Sequence, residues 1–345
     1  MPLTEESLTK FDQMQLYKTY ERWPEFFADA SKIVCKVDHD PGFYDSIVLC
    51  GMGGSATCCD ILSDLMHTFS IIPCTVIRGQ KIPHFVGKHS LVIVNSVSGN
   101  TEESISMMKE ASDKNAEVVC VSSDGKLRDA AENRGHKHIS IPNLSLPRAS
   151  LPYLLMPTLR LINPFLENSP DLQSISQNLL NIEKTISITV PEESNISKKI
   201  ATFIDGCFAF CFLSPSLVSV GTRFKSSLNE NAKVHCISES ILEASHNEIV
   251  PFTFNNNIQY NVPPKVLLVK WNGDRPIVSE RFEKIQYFLT QIGQPIMELS
   301  TCLGTSLINT IISSIYILDY STIYLAILRN IDPSPTPAID ILKRI

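Results

Sequence analysis

From residue 45 onward, short apolar runs alternate with segments whose apolar positions recur at helical spacing, the pattern of a parallel sheet with crossover helices. Strands are expected at residues 46–50, 74–77, 91–94, 118–122 and 138–141, with helices at 55–66, 101–112 and 126–134. Together they make one doubly wound α/β domain, whose ligand site belongs beyond the carboxyl ends of its strands. An apolar helical stretch over 149–166 follows, kinked or broken by Pro157 and Pro164, and then a polar connecting region over 168–197. A second alternating series has strands at 206–213, 234–237, 265–271 and 296–300 and helices at 222–232, 280–292 and 306–329. The chain therefore divides into 1–150, a connecting helix and linker at 151–197, and 198–345, two halves alike in architecture but without a sequence repeat.

A chain of 345 residues is long enough for two such domains and a substantial core. Its formal charge of −6, with no basic block, argues against a nucleic-acid partner. An anionic small molecule is still compatible, because helix N-termini and single arginines bind anions against an unfavourable overall field. The amino terminus mixes charges with apolar residues and lacks the hydrophobic centre of a signal peptide. Residues 307–328 are strongly apolar, but Asn309, Asp319 and several serines interrupt them, so a buried helix is expected rather than a membrane span. A cytoplasmic protein fits these features. Ten cysteines scattered through apolar segments read as reduced core thiols, among them the adjacent Cys58 and Cys59 and the pair Cys207 and Cys211 on one strand face. His136 and His138 share one face of a strand end, where they either grip a metal or are simply solvated.

The chemistry concentrates in the run Asn95-Ser96-Val97-Ser98-Gly99-Asn100-Thr101-Glu102-Glu103, which leaves an apolar strand and enters a helix. Free N–H groups and the positive end of the helix dipole converge there with the hydroxyls of Ser96, Ser98 and Thr101, and Gly99 lets an anion approach the main chain. Asn100 and Glu103 fit a capping box equally well, an ordinary helix start that binds nothing. A second turn, Gly51-Met52-Gly53-Gly54-Ser55, follows the first strand in the same way, without the spacing of a dinucleotide site or the lysine of a P-loop. Arg148 stands before the apolar helical stretch, an electrostatically unfavourable place that a bound oxyanion would relieve. In the second half, Glu230 closes a helix and His246 follows in a polar loop, a spacing that by itself proves no acid/base role.

Five stretches in this order resemble the sugar isomerase (SIS) superfamily, and specifically the bifunctional phosphoglucose/phosphomannose isomerases of archaeal type. They are Gly51 to Ser55, Ser96 to Glu103, Pro147-Arg148-Ala149, Leu228-Asn229-Glu230-Asn231-Ala232-Lys233 with Ser245-His246-Asn247, and the tail from Asp332-Pro333 to Leu342-Lys343. Val97 stands where the family usually has tyrosine, and Ala56 where a further glycine is common.

The resemblance implies two SIS-like domains and an aldose–ketose isomerase interconverting glucose 6-phosphate and mannose 6-phosphate with fructose 6-phosphate. Ser96, Ser98 and Thr101 are then expected to hold the 6-phosphate, with Gly53, Gly54 and Ser55 bordering the sugar. Glu230 is expected as the base that moves a proton between C1 and C2, work that suits a carboxylate made more basic by partial desolvation. Arg148 is expected to stabilise the enediolate, where one well-placed donor is worth ~3 kcal/mol. His246 is expected to open the ring across a homodimer interface, with Lys343 assisting, and Thr336 to accept the mannose epimer. Proton transfer through an enediol needs no redox cofactor and no metal, so none is expected. The rival readings are a non-catalytic sugar-phosphate sensor, which would not need Glu230 and His246, and an SIS isomerase acting on another sugar phosphate.

Overall fold

A computed structural model describes residues 2–35, 37, 40–167, 171–253, 262–300 and 306–342. They form two α/β units, Arg22–Ser176 on the one hand and Met1–Glu21 with Gln177–Ile345 on the other.

In the first unit, β1 (Ser46–Cys50), β2 (Cys74–Ile77), β3 (Ser90–Ser96), β4 (Glu117–Ser122) and β5 (Lys137–Ser140) make a parallel sheet in the order β2-β1-β3-β4-β5. Cys50 pairs in register with Ile77 on one side and Val94 on the other. Strands β1 and β3 are continuous apolar runs because both of their faces are covered. On one face Val48, Cys50, Val92, Val94, Val118 and Cys120 pack with Met107, Met108 and Ala111 of helix Glu102–Asp113 and with Leu127 and Ala131 of helix Lys126–Asn133. Ile47, Leu49, Leu91 and Ile93, which alternate with them, are just as fully buried. Helix Gly54–Phe69 packs against helix Leu151–Ile162, which also packs on helix Trp23–Ala30. Pro157 is accommodated within Leu151–Ile162, and the helix gives way to a 3-10 turn, Asn163–Phe165, at Pro164.

The second unit repeats the plan with β6 (Phe208–Leu213), β7 (Cys236–Ser240), β8 (Pro264–Lys270) and β9 (Ile296–Ser300), all parallel in the order β7-β6-β8-β9. Helix Leu307–Leu328 is long and apolar enough to cross a membrane, but 94% of its most apolar window is buried, as expected of a core helix. Asp319 is tolerated inside it because Arg223 meets the carboxylate at 2.9 Å and Ser227 Oγ at 2.5 Å. Helices Glu5–Phe11 and Leu16–Glu21, which the pattern did not suggest, pack on that core helix, and Tyr17 and Tyr20 stack edge-on against Tyr320.

Two expectations need correction. The polar stretch read as a connecting region contains helix Gln173–Ile186, whose Ile175, Leu179, Ile182 and Ile186 recur at helical spacing and are buried. Strand β7 begins two residues later than expected because the chain before it is still completing a helix end, with Val234 N–H bonded to the Leu228 carbonyl at 3.1 Å. The described cysteines are all free, and burial raises the thiols of Cys59, Cys74 and Cys120 to about 12.

Candidate active site

The strand order of the first unit reverses between β1 and β3, and in a sheet of this kind the crevice outside the carboxyl ends of those two strands is where ligands bind. Both suspect turns follow those strands. Residues 51–53 turn from β1 into helix Gly54–Phe69, with Gly53 at φ +51° as its N-cap and without a side-chain cap. Residues 97–101 turn from β3 into helix Glu102–Asp113, whose N-cap Thr101 also gives no side-chain cap bond. The capping-box alternative is therefore not what forms. Asn100 spends its side chain elsewhere, accepting from Lys126 N–H at 3.2 Å and donating to the Ser98 carbonyl at 3.0 Å.

The two turns are tied together. Val97 N–H donates to Ser55 Oγ at 3.2 Å, and Ser96 Oγ lies 3.2 Å from Thr101 Oγ1 and accepts from Gly99 N–H at 3.2 Å. Ser96 and Ser55 are buried, Ser98 is exposed and Thr101 half-buried, so the hydroxyls grade from the strand end toward solvent. Behind the turn, residues 122–125 hold it in place. Leu127 N–H bonds to the Gly99 carbonyl at 2.8 Å and Ser123 N–H to the Val97 carbonyl at 3.1 Å. Gly99, at φ +66°, has no room for a side chain, since a Cβ there would stand 1.9 Å from the Asp124 carbonyl oxygen. Arg148, half-buried in the 3-10 turn Pro147–Ala149, comes to the same corner, and a Cβ on Gly54 would stand 3.9 Å from its Cα. Gly53, Gly54, Ser55, Ser96, Ser98 and Thr101 thus lie in two joined turns at helix N-termini, with the main chain of Arg148 beside Gly54, an arrangement whose chemistry suits an oxyanion.

In the second unit, Glu230 is half-buried in a π-helical turn, Leu228–Ala232, that ends helix Val218–Ser227. Single π turns inside helices recur at functional sites because they re-aim a side chain. Asn231 anchors the turn through Nδ2 to Thr322 Oγ1 at 2.8 Å. Burial works against the Arg223 charge beneath, but Asp319, Tyr20 and Glu230 more than offset it, so the guanidinium is held well above its ordinary range. Lys233 closes the turn at φ +58°, and its Nζ bonds to the Glu230 carbonyl at 2.6 Å and to the Asp332 and Pro333 carbonyls at 3.2 and 3.3 Å. This brings the start of the tail, and with it Thr336 ahead of helix Pro337–Leu342, to the same end of the unit. Lys343 lies outside the described residues.

His246 does not join them. Helix Val218–Ser227 carries the chain from the carboxyl end of β6 back to the amino end of β7, so Glu230 precedes β7 while His246 follows it. The five residues of β7 separate the two along the strand direction by on the order of 13 Å at about 3.3 Å per residue. His246 is exposed, and its ring makes no hydrogen bond with any described residue.

The metal reading of the other histidine pair is not supported. His136 Nε2 lies 2.7 Å from Ser112 Oγ and His138 Nε2 2.7 Å from Ser122 Oγ, and no cluster of metal-ligating side chains occurs among the described residues. Two residues without an assigned role hold these turns, each within its own unit. Lys233 is one. Asn95 is the other, fully buried at the end of β3, with Nδ2 3.6 Å from Cys59 Sγ and Oδ1 accepting from Thr158 Oγ1 at 2.9 Å. A polar residue closing an apolar strand was its visible signal.

Comparison with known proteins gives the family. The family described as bacterial phospho-glucose isomerase C-terminal SIS domain matches residues 193–345. A bifunctional phosphoglucose/phosphomannose isomerase of Thermoplasma volcanium is 30% identical over 346 residues, covering 100% of this chain and 99% of that protein. One of Caldicellulosiruptor bescii is 29% identical over 303 residues, 87% of this chain and 88% of that protein. Among solved structures, a hypothetical protein of Thermus thermophilus shares the fold with a TM-score of 0.72 at 16% identity, over 99% of this chain and 92% of that one.

Proposed function

Since the chain belongs to the bifunctional phosphoglucose/phosphomannose isomerases, we propose that it interconverts glucose 6-phosphate and mannose 6-phosphate with fructose 6-phosphate through an enediolate. The observation that carries this reading is the pairing of Ser55 with Val97, which joins two helix N-termini beside the main chain of Arg148 at the switch point of the first sheet and so supports a site for an anion there.

In this proposal Ser96, Ser98 and Thr101 take the 6-phosphate, and Gly53, Gly54 and Ser55 border the sugar. Ring opening, assigned to His246 with Lys343 assisting, exposes the carbonyl. The Glu230 carboxylate then removes the proton from C2 of the aldose. The C–H electrons form the C1=C2 bond, and the carbonyl π pair moves onto O1, where Arg148 meets the charge. The O2 proton then passes to O1, the electrons left on O2 form the C2=O2 bond, and the C1=C2 pair takes the proton back from Glu230 at C1, which completes the ketose. Thr336 is assigned to acceptance of the mannose epimer. The separation of Glu230 and His246 along β7 supports a homodimer in which each site takes its His246 from the partner. The substrates named are metabolites of the cytoplasm, which is the proposed location.

The test is incubation with glucose 6-phosphate, mannose 6-phosphate and glucosamine 6-phosphate, with fructose 6-phosphate as the readout. Turnover of the first two and not the third is expected. Tight binding without turnover would instead identify a sensor, and turnover restricted to the amino sugar, with release of ammonia, a superfamily enzyme for another sugar phosphate. Glu230→Gln should abolish isomerisation while leaving sugar-phosphate binding largely intact.

A further inference from the structure

Lys233 occupies the left-handed region at φ +58° and ψ 41°, a conformation that favours glycine and disfavours a long side chain. Its ammonium explains why a lysine stands there. Nζ lies 2.6 Å from the Glu230 carbonyl oxygen, 3.3 Å from that of Asn231, 3.2 Å from that of Asp332 and 3.3 Å from that of Pro333. At this point the π turn Leu228–Ala232, a helix carboxyl end, meets the chain four and five residues beyond helix Leu307–Leu328. Carbonyls at helix carboxyl ends lack intrahelical donors and carry the negative end of the dipole, so a cation with three N–H groups is matched to them.

The bonds also join two pieces with separate assigned roles. One is the turn that aims the Glu230 side chain. The other is the tail that leads to Thr336, which is secured on its own side by Ser334 N–H to Asp332 Oδ1 at 2.9 Å. Resting on the reading of Glu230 as the base, we infer that Lys233 is a positioning residue that sets the aim of Glu230 and locks the Thr336 tail to the same turn. It touches main-chain carbonyls rather than substrate, so its removal acts on turnover and on the choice between epimers rather than on capture of the phosphate.

Three variants of the full chain test this, with Glu230→Gln as the control and urea midpoints as the check of folding. Lys233→Gly suits the left-handed backbone and deletes the ammonium, Lys233→Met keeps the backbone constraint and the length, and Lys233→Arg keeps the charge. Lys233→Gly and Lys233→Met are each expected to lose about 10-fold or more in kcat, with KM for fructose 6-phosphate within about 2-fold and a changed ratio of mannose to glucose 6-phosphate turnover. Lys233→Arg should recover to within about 3-fold of the parent on both epimers. If Lys233→Gly unfolds, the contrast between Lys233→Met and Lys233→Arg decides alone. Parental kcat and epimer ratio in Lys233→Met, alongside an inactive Glu230→Gln, would overturn the role of Lys233 and leave the base standing. An active Glu230→Gln would remove the base and this inference with it.

Discussion

Ser55 Oγ accepts a hydrogen bond from the main-chain N–H of Val97 at 3.2 Å, so a hydroxyl at the start of one helix fixes the turn that starts another. Deleting it leaves the buried Val97 N–H without that acceptor and loosens the distance between the two turns proposed to hold the sugar phosphate. Ser55→Ala is expected to raise KM for fructose 6-phosphate about 5- to 10-fold with a smaller effect on kcat. Steady-state kinetics at saturating and limiting substrate check this, and an unchanged KM would detach Ser55 from the proposed site.

Ser98 differs from Ser55 in being exposed at the mouth of the turn, where its Oγ accepts from Asn100 N–H at 3.2 Å. Its loss should therefore spare stability and cost binding. Ser98→Ala is expected to weaken sugar-phosphate binding by roughly 1 kcal/mol, about 5-fold, with the urea midpoint unmoved. Calorimetric titration with fructose 6-phosphate and the Glu230→Gln protein, with and without Ser98→Ala, measures the difference without turnover.

Gly99 poses the opposite case. A methyl group at this φ of +66° would meet the Asp124 carbonyl oxygen at 1.9 Å, so Gly99→Ala must push the turn away from residues 122–125. The expected loss of stability is more than about 1 kcal/mol, with a rise in KM larger than that of Ser98→Ala. Denaturant unfolding and the same kinetics read both.

Much of this architecture was legible in the chain. Strand β1 begins and ends where its apolar run does, because a strand covered on both faces has little reason to admit polar residues, and the edge strands β2 and β9 also keep the expected bounds. The two glycine- and serine-rich turns were legible as turns for a related reason, since they stand between an apolar run and a helical period. Helix Gln173–Ile186 was obscured by the polarity of its outer face, although its four isoleucine and leucine positions carry the period. The role of Lys233 had no sequence signature, since it depends on carbonyls about a hundred positions away that only the fold brings near. Nor did the pattern show that Glu230 and His246 stand at opposite ends of β7, because spacing along the chain says nothing of strand direction.

The pair Arg223 and Asp319 is 4% and 0% exposed, and the carboxylate also takes Ser227 Oγ. Removing one charge from such a pair strands the other in a medium that cannot solvate it. Asp319→Asn is expected to cost about 3–5 kcal/mol, read as a lowered urea midpoint at constant slope. Since Arg223 lies beneath the Glu230 turn, kcat should fall as well, even at temperatures where the variant is folded.

His138 gives a pH dependence whose sign follows from its surroundings. Burial first and Arg128 second lower its pKa below the ordinary value of 6.5, while Glu132 and Asp124 pull the other way, and its Nε2 pairs with Ser122 Oγ. The unfolded chain therefore takes up this proton before the folded one as pH falls. The contribution of His138 is fully present above about pH 6.5 and is lost as pH falls through its lowered folded value. Urea midpoints at about pH 7.5 and about pH 5.5 should drop further for the parent than for His138→Gln, which can still pair with Ser122 but does not titrate. Equal drops would mean that the imidazole is no less protonated folded than unfolded.

The placement of Glu230 before β7 and His246 after it leads to a prediction about assembly. If each site draws its base from one protomer and its ring-opening histidine from the other, Glu230→Gln and His246→Ala damage different halves of every site. Each homodimer of a variant then has two incomplete sites. A heterodimer of the two has one site with both residues altered and one with both intact. Unfolding the two inactive proteins together and refolding the mixture makes about half of the dimers mixed, so about a quarter of parental activity should return. The protein concentration must exceed the dimer dissociation constant, and activity should then grow with the product of the two variant concentrations. A mixture no more active than its components would place both residues at a site within one protomer, against their separation along β7, or remove His246 from the reaction.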